Sequence, residues 1–144
     1  MMTETQQNSK IGDAAVDGLL AGLGAGVVMG VYLLVTGIFA GEAMGTILGR
    51  FAPGGEATPL TGVLSHLAVS AIYGAMFGVM ANVLRKRVPI WAAGLVFGLG
   101  LFMIAQYALL PGTGSALLEV SPVHFGIAHG LYGGMLGWQV GRRG

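Results

Sequence analysis

Four long apolar stretches constrain what this chain can fold into more than any other feature of its sequence. They run from about Ala14 to Ala40, Leu60 to Leu84, Ile90 to Leu110 and Pro122 to Val140. A helix needs roughly 20 predominantly apolar residues to cross the hydrocarbon core of a bilayer. We therefore predict four membrane-spanning helices in one domain over residues 11–144, preceded by a polar cytoplasmic tail at residues 1–10.

The composition also favours a membrane protein. Hydrophobic residues make up 54% of the 144 residues and charged residues 9%, which leaves too little polar surface to coat a soluble domain of this size. The chain has no cysteine, so disulfides, thiolate metal sites and thiol redox chemistry are excluded. A net charge of +1 without a basic stripe argues against nucleic acid as a partner. The expected partner is the lipid bilayer.

The distribution of basic residues predicts the orientation. One side of the predicted spans carries Lys10, Arg85, Lys86, Arg87, Arg142 and Arg143, and the other side carries Arg50. Basic residues flanking membrane helices concentrate on the cytoplasmic side. Both termini are therefore predicted to be cytoplasmic. Trp91 and Trp138 fall at the same side, where indole rings prefer the headgroup region.

Small residues recur every four positions along each predicted helix. They are Gly18, Gly22, Gly26 and Gly30 in the first helix, Ser70, Gly74 and Gly78 in the second, Gly94 and Gly98 in the third, and Gly126, Gly130 and Gly134 in the fourth. Residues four apart share a helix face, and small residues there let helix backbones approach closely in a membrane. The spacing predicts a glycine zipper on each helix and a tight bundle.

An internal repeat relates the two halves of the chain. Residues 73–78 read YGAMFG and residues 132–137 read YGGMLG, an offset of 59. A weaker match at an offset of 74 relates Gly24, Gly26 and Met29 to Gly98, Gly100 and Met103. We predict an all-α fold, a four-helix transmembrane bundle made of two parallel helical-hairpin repeats. Chance similarity between glycine-rich helices is the rival explanation.

The connection after the first helix is the longer of the two outer connections. It spans residues 41–59 and includes Glu42, Arg50 and Glu56. A short interfacial helix is predicted over Glu42 to Phe51, with its apolar side chains turned toward the membrane, and Pro53 with Gly54 ends it. The segment is either a plain connector held by its apolar residues or a lid over an outward-facing site.

Polar side chains inside the spans are the candidate site. They are His66, Ser70, Tyr73, Gln106, His124, His129 and Tyr132, all in the predicted outer leaflet. Polar groups at membrane depth are costly and often functional. We predict that these seven residues form one ligand-binding cluster. Neither a catalytic residue nor a metal ligand is predicted.

Three uses of this cluster remain open. In the default interpretation its hydrogen bonds cross-link the helices, and the protein is a non-enzymatic structural or accessory subunit that assembles with other membrane subunits or with itself. Alternatively, His66 with His124 or His129 ligates a haem. A third possibility is a small-ligand or quinone site, or a small transporter. Because nucleotide-binding loops, zinc-protease motifs and nucleophile elbows are missing from the sequence, no enzyme and no cofactor are predicted.

Several short patterns occur in a recognisable order. A glycine-rich helix is followed by His66 and Tyr73-Gly74, then by the segment 106–111 (QYALLP), then by the segment 128–133 (AHGLYG). Over residues 14–140 this order resembles a group of small uncharacterised bacterial four-helix integral membrane proteins. The resemblance implies a bacterial inner-membrane location and brings no established activity with it.

Overall fold

The structure, a computed structural model, describes residues 4–54 and 57–143. Within these ranges the chain is all-α, without a strand. The helices are α1 (Glu4–Phe39), α2 (Met44–Gly49), α3 (Pro59–Leu84), α4 (Ile90–Ile104) and α5 (Pro122–Arg142). A π-helical turn (Ala105–Leu109) continues α4, and a 3-10 turn (Ala116–Glu119) precedes α5.

Three helices of the described chain are long and apolar enough to cross a membrane. They comprise Asn8–Phe39 of α1, Pro59–Leu84 of α3, and Ile90–Leu109 of α4 with its π turn. The fourth predicted span is also a helix, α5, of 21 residues. It is not among the three because its histidines, its glycines and Gln139 lower its hydropathy. The prediction of apolar spans is thus confirmed for three of the four helices.

The boundary of α1 differs from the prediction. The helix begins at Glu4 rather than at Ala14, so the predicted polar tail is helical over Glu4 to Lys10. Met1 to Thr3 lie outside the described residues, as do Gly55 and Glu56 of the long connection. At its other end α1 stops where Gly41 adopts a φ of 84°. The amide of Glu42 then bonds the carbonyl of Gly37, a common way of closing the last helical turn.

The long helices pack as two close pairs, α1 with α3 and α4 with α5. The first pair meets at Gly18, Gly22, Gly74 and Gly78, and the second at Gly94, Gly98, Gly133 and Gly137. A Cβ added to any of these glycines would lie closer than 3.0 Å to backbone atoms of the opposite helix. The absence of a side chain therefore sets the distance between the helices in both pairs.

Contacts between α1 and α5 join the two pairs into a single bundle. Phe77, Tyr132, Leu136 and Val140 form its centre and are almost completely buried. We call the end of the bundle that carries the turn 85–87 the basic end, and the opposite end, where α2 lies, the α2 end. Toward the basic end Phe77 of α3 meets Phe97 of α4, with ring centroids 5.3 Å apart.

The short helix α2 caps the bundle within the predicted segment 42–51. Its Ile47 is 3% exposed and packs where Gly37 of α1 leaves room. Arg50 follows α2, and its side chain, 12% exposed, pairs with Glu42 and with Glu119 of the 3-10 turn. The pair with Glu42 lies within the long connection, and the pair with Glu119 attaches that connection to the segment before α5.

Candidate ligand-binding cavity

A cavity of about 220 Å³ lies in the α2 half of the bundle, enclosed by α1, α3, α4 and α5. Its polar lining residues are Ser65, His66, Ser70, Tyr73, His129 and Tyr132. Apolar side chains supply the rest of the wall, among them Met29, Leu101 and Phe125. The cavity is an apolar chamber with a small number of polar groups, as in most small-molecule sites.

The cavity opens sideways, between α3 and α4. These two helices make few direct contacts. Three lining residues at this gap are about half exposed: Val69 on α3, Ile104 at the end of α4, and Leu109 in the π turn. The cavity therefore reaches the surface of the bundle at the gap between the two helices.

His66 is held by the backbone of a neighbouring helix. Its Nε2 donates a hydrogen bond of 2.8 Å to the carbonyl of Gly26 on α1. A carbonyl oxygen only accepts, so Nε2 carries a proton and the neutral ring keeps a lone pair on Nδ1. The ring of Phe51, from the segment after α2, packs against the imidazole with centroids 4.7 Å apart. The long connection thus contributes directly to the wall of the site.

His129 is fixed within its own helix. Its Nδ1 donates a hydrogen bond of 2.9 Å to the carbonyl of Phe125, one turn earlier in α5. The side chain is 9% exposed, and its ring contacts the rings of Phe125 and Phe102. By the same argument its Nε2 keeps the lone pair of the neutral ring. The cavity wall therefore contains two imidazoles whose tautomers are fixed by backbone carbonyls.

The hydroxyl groups of the cavity differ in their bonding. The Tyr132 hydroxyl donates a hydrogen bond of 2.7 Å to the carbonyl of Ser70 on α3. The hydroxyls of Ser70 and Tyr73 have no hydrogen-bond partner in the described part of the chain. Tyr132 therefore holds two helices together, whereas the other two hydroxyls are available to a ligand.

The predicted cluster is divided in the structure. His66, Ser70, Tyr73, His129 and Tyr132 meet around the cavity, but His124 and Gln106 do not, so the structure does not bring all seven residues together. His124 is exposed because it points away from the cavity toward α1, where its Nδ1 lies 2.8 Å from the Tyr32 hydroxyl. Gln106 belongs to the π turn and does not line the cavity. Its Oε1 is buried without a hydrogen-bond partner among residues 4–54 and 57–143.

Sequence reasoning missed two contributors to this region. Phe51 was assigned to the connection and not to the site, because nothing in the sequence indicates that the connection folds back onto His66. Arg50 was counted for orientation alone, although its partner Glu119 lies 69 residues away in the chain. A usable signal existed, since Arg50 is the single basic residue predicted on its side of the membrane and acids flank it there.

The arrangement suits an uncharged ligand. The cavity presents two imidazole lone pairs and two free hydroxyls, and its walls contain no carboxylate and no lysine or arginine among the described residues. Comparisons of the chain with protein-family models, curated proteins and solved structures found no match. The chemistry of the cavity is therefore the basis for assigning a function.

Proposed function

We propose that this protein is a non-enzymatic membrane protein that binds a small, uncharged, largely apolar ligand of the quinone or lipid type. The observation that carries the proposal is the cavity of about 220 Å³ that opens between α3 and α4 and contains unpaired polar atoms. A site of this kind takes its ligand from the bilayer rather than from water. Its polar groups select for hydrogen-bonding capacity, and its walls select for an apolar body.

A quinone ring satisfies both requirements. Its carbonyl oxygens accept hydrogen bonds from the hydroxyl of Tyr73, and the hydroxyls of the reduced form donate to the free nitrogens of His66 and His129. The cavity is smaller than the roughly 300 Å³ at which ordinary ligand pockets begin. It accommodates a ring and leaves an isoprenoid tail in the gap between α3 and α4. A haem would need these helices to separate.

The proposed architecture is a bundle of four transmembrane helices built as two parallel hairpins, with α5 as the fourth span. The register of the helix contacts supports it. Gly18 meets Gly74 and Gly78 in the way that Gly94 meets Gly133 and Gly137. These correspondences are offset by 76 residues for the first helix of each hairpin and by 59 for the second. The contacts favour 76 over the 74 inferred from sequence.

The proposed location is the bacterial inner membrane, with both termini in the cytoplasm. Arg85 and Arg143 lie at the basic end, where Arg85 donates to the carbonyl of Val140 and Arg143 pairs with Asp17. Arg50 lies at the opposite end with its two acidic partners. This separation agrees with the concentration of basic residues on the cytoplasmic side of membrane proteins. The cavity then faces the outer leaflet.

Ligand-dependent thermal stability tests the binding function. Protein in lipid nanodiscs would be titrated with decylubiquinone, because a ligand that binds the folded state raises the melting temperature. Ala105 lines the cavity, so Ala105→Phe fills it. Ala108, exposed on the same π turn and outside the cavity wall, provides the matched control Ala108→Phe. We expect saturable stabilisation of the wild type and the control, and at least a tenfold loss of affinity in Ala105→Phe.

Equal stabilisation of both phenylalanine variants would place the quinone elsewhere and contradict the proposal. A parallel extraction of lipids and quinones from protein purified in mild detergent identifies a ligand acquired in the cell. The same sample tests for haem, since bound haem gives a Soret absorption band that His66→Ala would remove.

A role as a structural or accessory subunit is the second candidate. It is favoured by the bonds from His66 to Gly26 and from Tyr132 to Ser70, which join α3 to α1 and to α5. Hydrogen bonds of this kind stabilise a bundle without any ligand. Native purification followed by mass spectrometry separates the candidates, because an accessory subunit requires a stable larger partner and a ligand-binding protein does not.

A further inference from the structure

A second cavity lies at the basic end of the bundle and is independent of the quinone site. It has a volume of about 180 Å³ and is enclosed by α1, α3 and α5. Its polar lining consists of Asp17, Asn82, Arg85 and Arg143. We call this cavity the basic crevice. Two guanidinium groups and one carboxylate leave it with one net positive charge.

Arg85 is the central residue of the basic crevice. Its Nη2 donates a hydrogen bond of 2.9 Å to the carbonyl of Val140, near the end of α5. A guanidinium has five N–H donors, and the Nε of Arg85 is buried without a hydrogen-bond partner in the described ranges. An unpaired buried donor of a charged group is costly. The side chain is thus held in place by α5 while part of its donor capacity stays unused.

Arg143 approaches the same space from α5. Its Nη1 lies 3.3 Å from a carboxylate oxygen of Asp17 on α1. Both side chains are partly exposed, at 39% and 47%, so this ion pair is weak and exchanges easily. Asn82 adds an amide that can donate a hydrogen bond from α3. Donors from α3 and α5 therefore line the basic crevice, and α1 contributes the carboxylate of Asp17.

We infer that the basic crevice binds a phosphate group. Guanidinium forks match the geometry of phosphate oxygens, and the free donors of Arg85 would be satisfied by an anion of this shape. Basic pockets between membrane helices commonly receive the headgroups of anionic lipids. The phosphate belongs either to a phospholipid that enters from the adjacent leaflet or to a soluble phosphate compound that enters from the aqueous side.

Other basic residues at this end attract anions without forming the crevice. Lys86 and Arg87 are exposed in the turn after α3, and the guanidinium of Arg142 lies over the ring of Trp138 at 4.7 Å from its centroid. Their contribution is a general electrostatic attraction. This difference supplies the control, because a specific site depends on Arg85 and general attraction depends equally on Arg87.

Native mass spectrometry of the full-length protein tests the site. The probes are phosphatidylglycerol, phosphatidylcholine and inorganic phosphate, the last added as a competitor. We expect the first phosphatidylglycerol molecule to bind more tightly than any further phosphatidylglycerol molecules. Arg85→Gln should weaken that binding about fivefold to tenfold, and the control Arg87→Gln less than twofold. Competition by millimolar inorganic phosphate indicates a soluble phosphate compound, and its failure to compete indicates a lipid.

A second variant keeps the test valid if Arg85→Gln does not fold. Asp17→Asn removes the negative charge from the crevice and frees Arg143, at little cost because the pair is partly exposed. It should tighten phosphatidylglycerol binding about fivefold. Equal losses in Arg85→Gln and Arg87→Gln, or no gain in Asp17→Asn, would overturn the inference. So would equal binding of phosphatidylcholine and phosphatidylglycerol without competition by phosphate.

Discussion

The hydroxyl of Tyr132 on α5 donates a hydrogen bond of 2.7 Å to the backbone carbonyl of Ser70 on α3. Tyr132 is 2% exposed, and α3 and α5 otherwise touch little. A helical carbonyl already accepts a bond from its own helix, so this is a second bond to the same oxygen. It fixes the position of α3 relative to α5 behind the cavity.

Removing this hydroxyl should loosen the bundle measurably. Tyr132→Phe keeps the ring and loses the bond to Ser70, which predicts a destabilisation of about 1 kcal/mol. Tyr107→Phe is the control, since Tyr107 is 64% exposed and its hydroxyl has no hydrogen-bond partner in the described chain. Thermal unfolding in detergent should show a lower melting temperature for the first variant alone. Identical melting temperatures would mean that the bond contributes nothing.

Two glycines of α4 should respond in opposite ways to the same substitution. A Cβ at Gly98 would clash with backbone atoms of His129 and Gly133, which cannot rotate away. Gly98→Ala should therefore destabilise the protein by roughly 1–3 kcal/mol or more, the usual range for overpacking. Gly100 has nothing within 4 Å of an added Cβ, and Gly100→Ala should leave stability unchanged or raise it by up to about 1 kcal/mol. Thermal unfolding of both variants measures the difference. The helix contact would be misplaced if Gly98→Ala were as stable as Gly100→Ala.

The ion pairs of Arg50 should be asymmetric in their response to mutation. Arg50→Met leaves the carboxylates of Glu42 and Glu119 facing each other, whereas Glu119→Gln leaves Arg50 paired with Glu42. We expect the arginine variant to lose more stability, by about 1 kcal/mol or more, because its side chain is largely buried. Limited proteolysis of the long connection, followed over time, reports the loosening directly. A faster cut in the glutamate variant than in the arginine variant would contradict this ranking.

The two histidines of α5 are expected to differ in importance. His129 is buried between Phe102 and Phe125, while His124 is exposed and bonds to Tyr32 near the surface. His129→Ala should therefore destabilise the protein by about 2 kcal/mol, and His124→Ala by about 1 kcal/mol or less. Melting temperatures in detergent provide the comparison. Equal stability of the two variants would count against the packing described for α5.

The proposed orientation is open to direct chemical labelling. The chain has no cysteine, so each introduced thiol is unique. Arg87→Cys lies at the basic end and Ser121→Cys at the opposite end, and both positions are exposed. A membrane-impermeant maleimide applied to intact cells should label the cysteine at 121 and should reach the cysteine at 87 after lysis. The reverse labelling pattern would mean that the protein has the opposite orientation in the membrane.

The helices could be predicted from the sequence because each apolar stretch is longer than those found in connecting segments. Three helices begin at a proline or directly after one, at Pro59, Ile90 and Pro122. The predicted starts of these helices agree with the structure within one residue. The start of α1 was missed because the polar residues Glu4 to Lys10 form helix without any apolar periodicity. The apolar character of α5 was overestimated, since glycine and histidine were counted as compatible with a span.

The candidate site was predictable in part. His66, Ser70, Tyr73 and Tyr132 were selected as polar residues inside the predicted spans, and all four reach the cavity. His124 does not line the cavity. Its predicted depth in the membrane gave no information about the direction in which its side chain points. Gln106 also lies outside the cavity, in a π turn that the sequence did not predict. Such a change of winding leaves no compositional trace.

The π turn also determines which side chains line the cavity between α3 and α4. A π turn contains one residue more than regular α winding requires, and each residue rotates a helix by about 100°. If the surplus residue migrated along the segment or were removed, Leu109 and Leu110 would swing away from their present places in the wall. The places of these two leucines in the cavity wall thus depend on one surplus peptide unit, in a segment that lies apart from the glycine contacts between the helices.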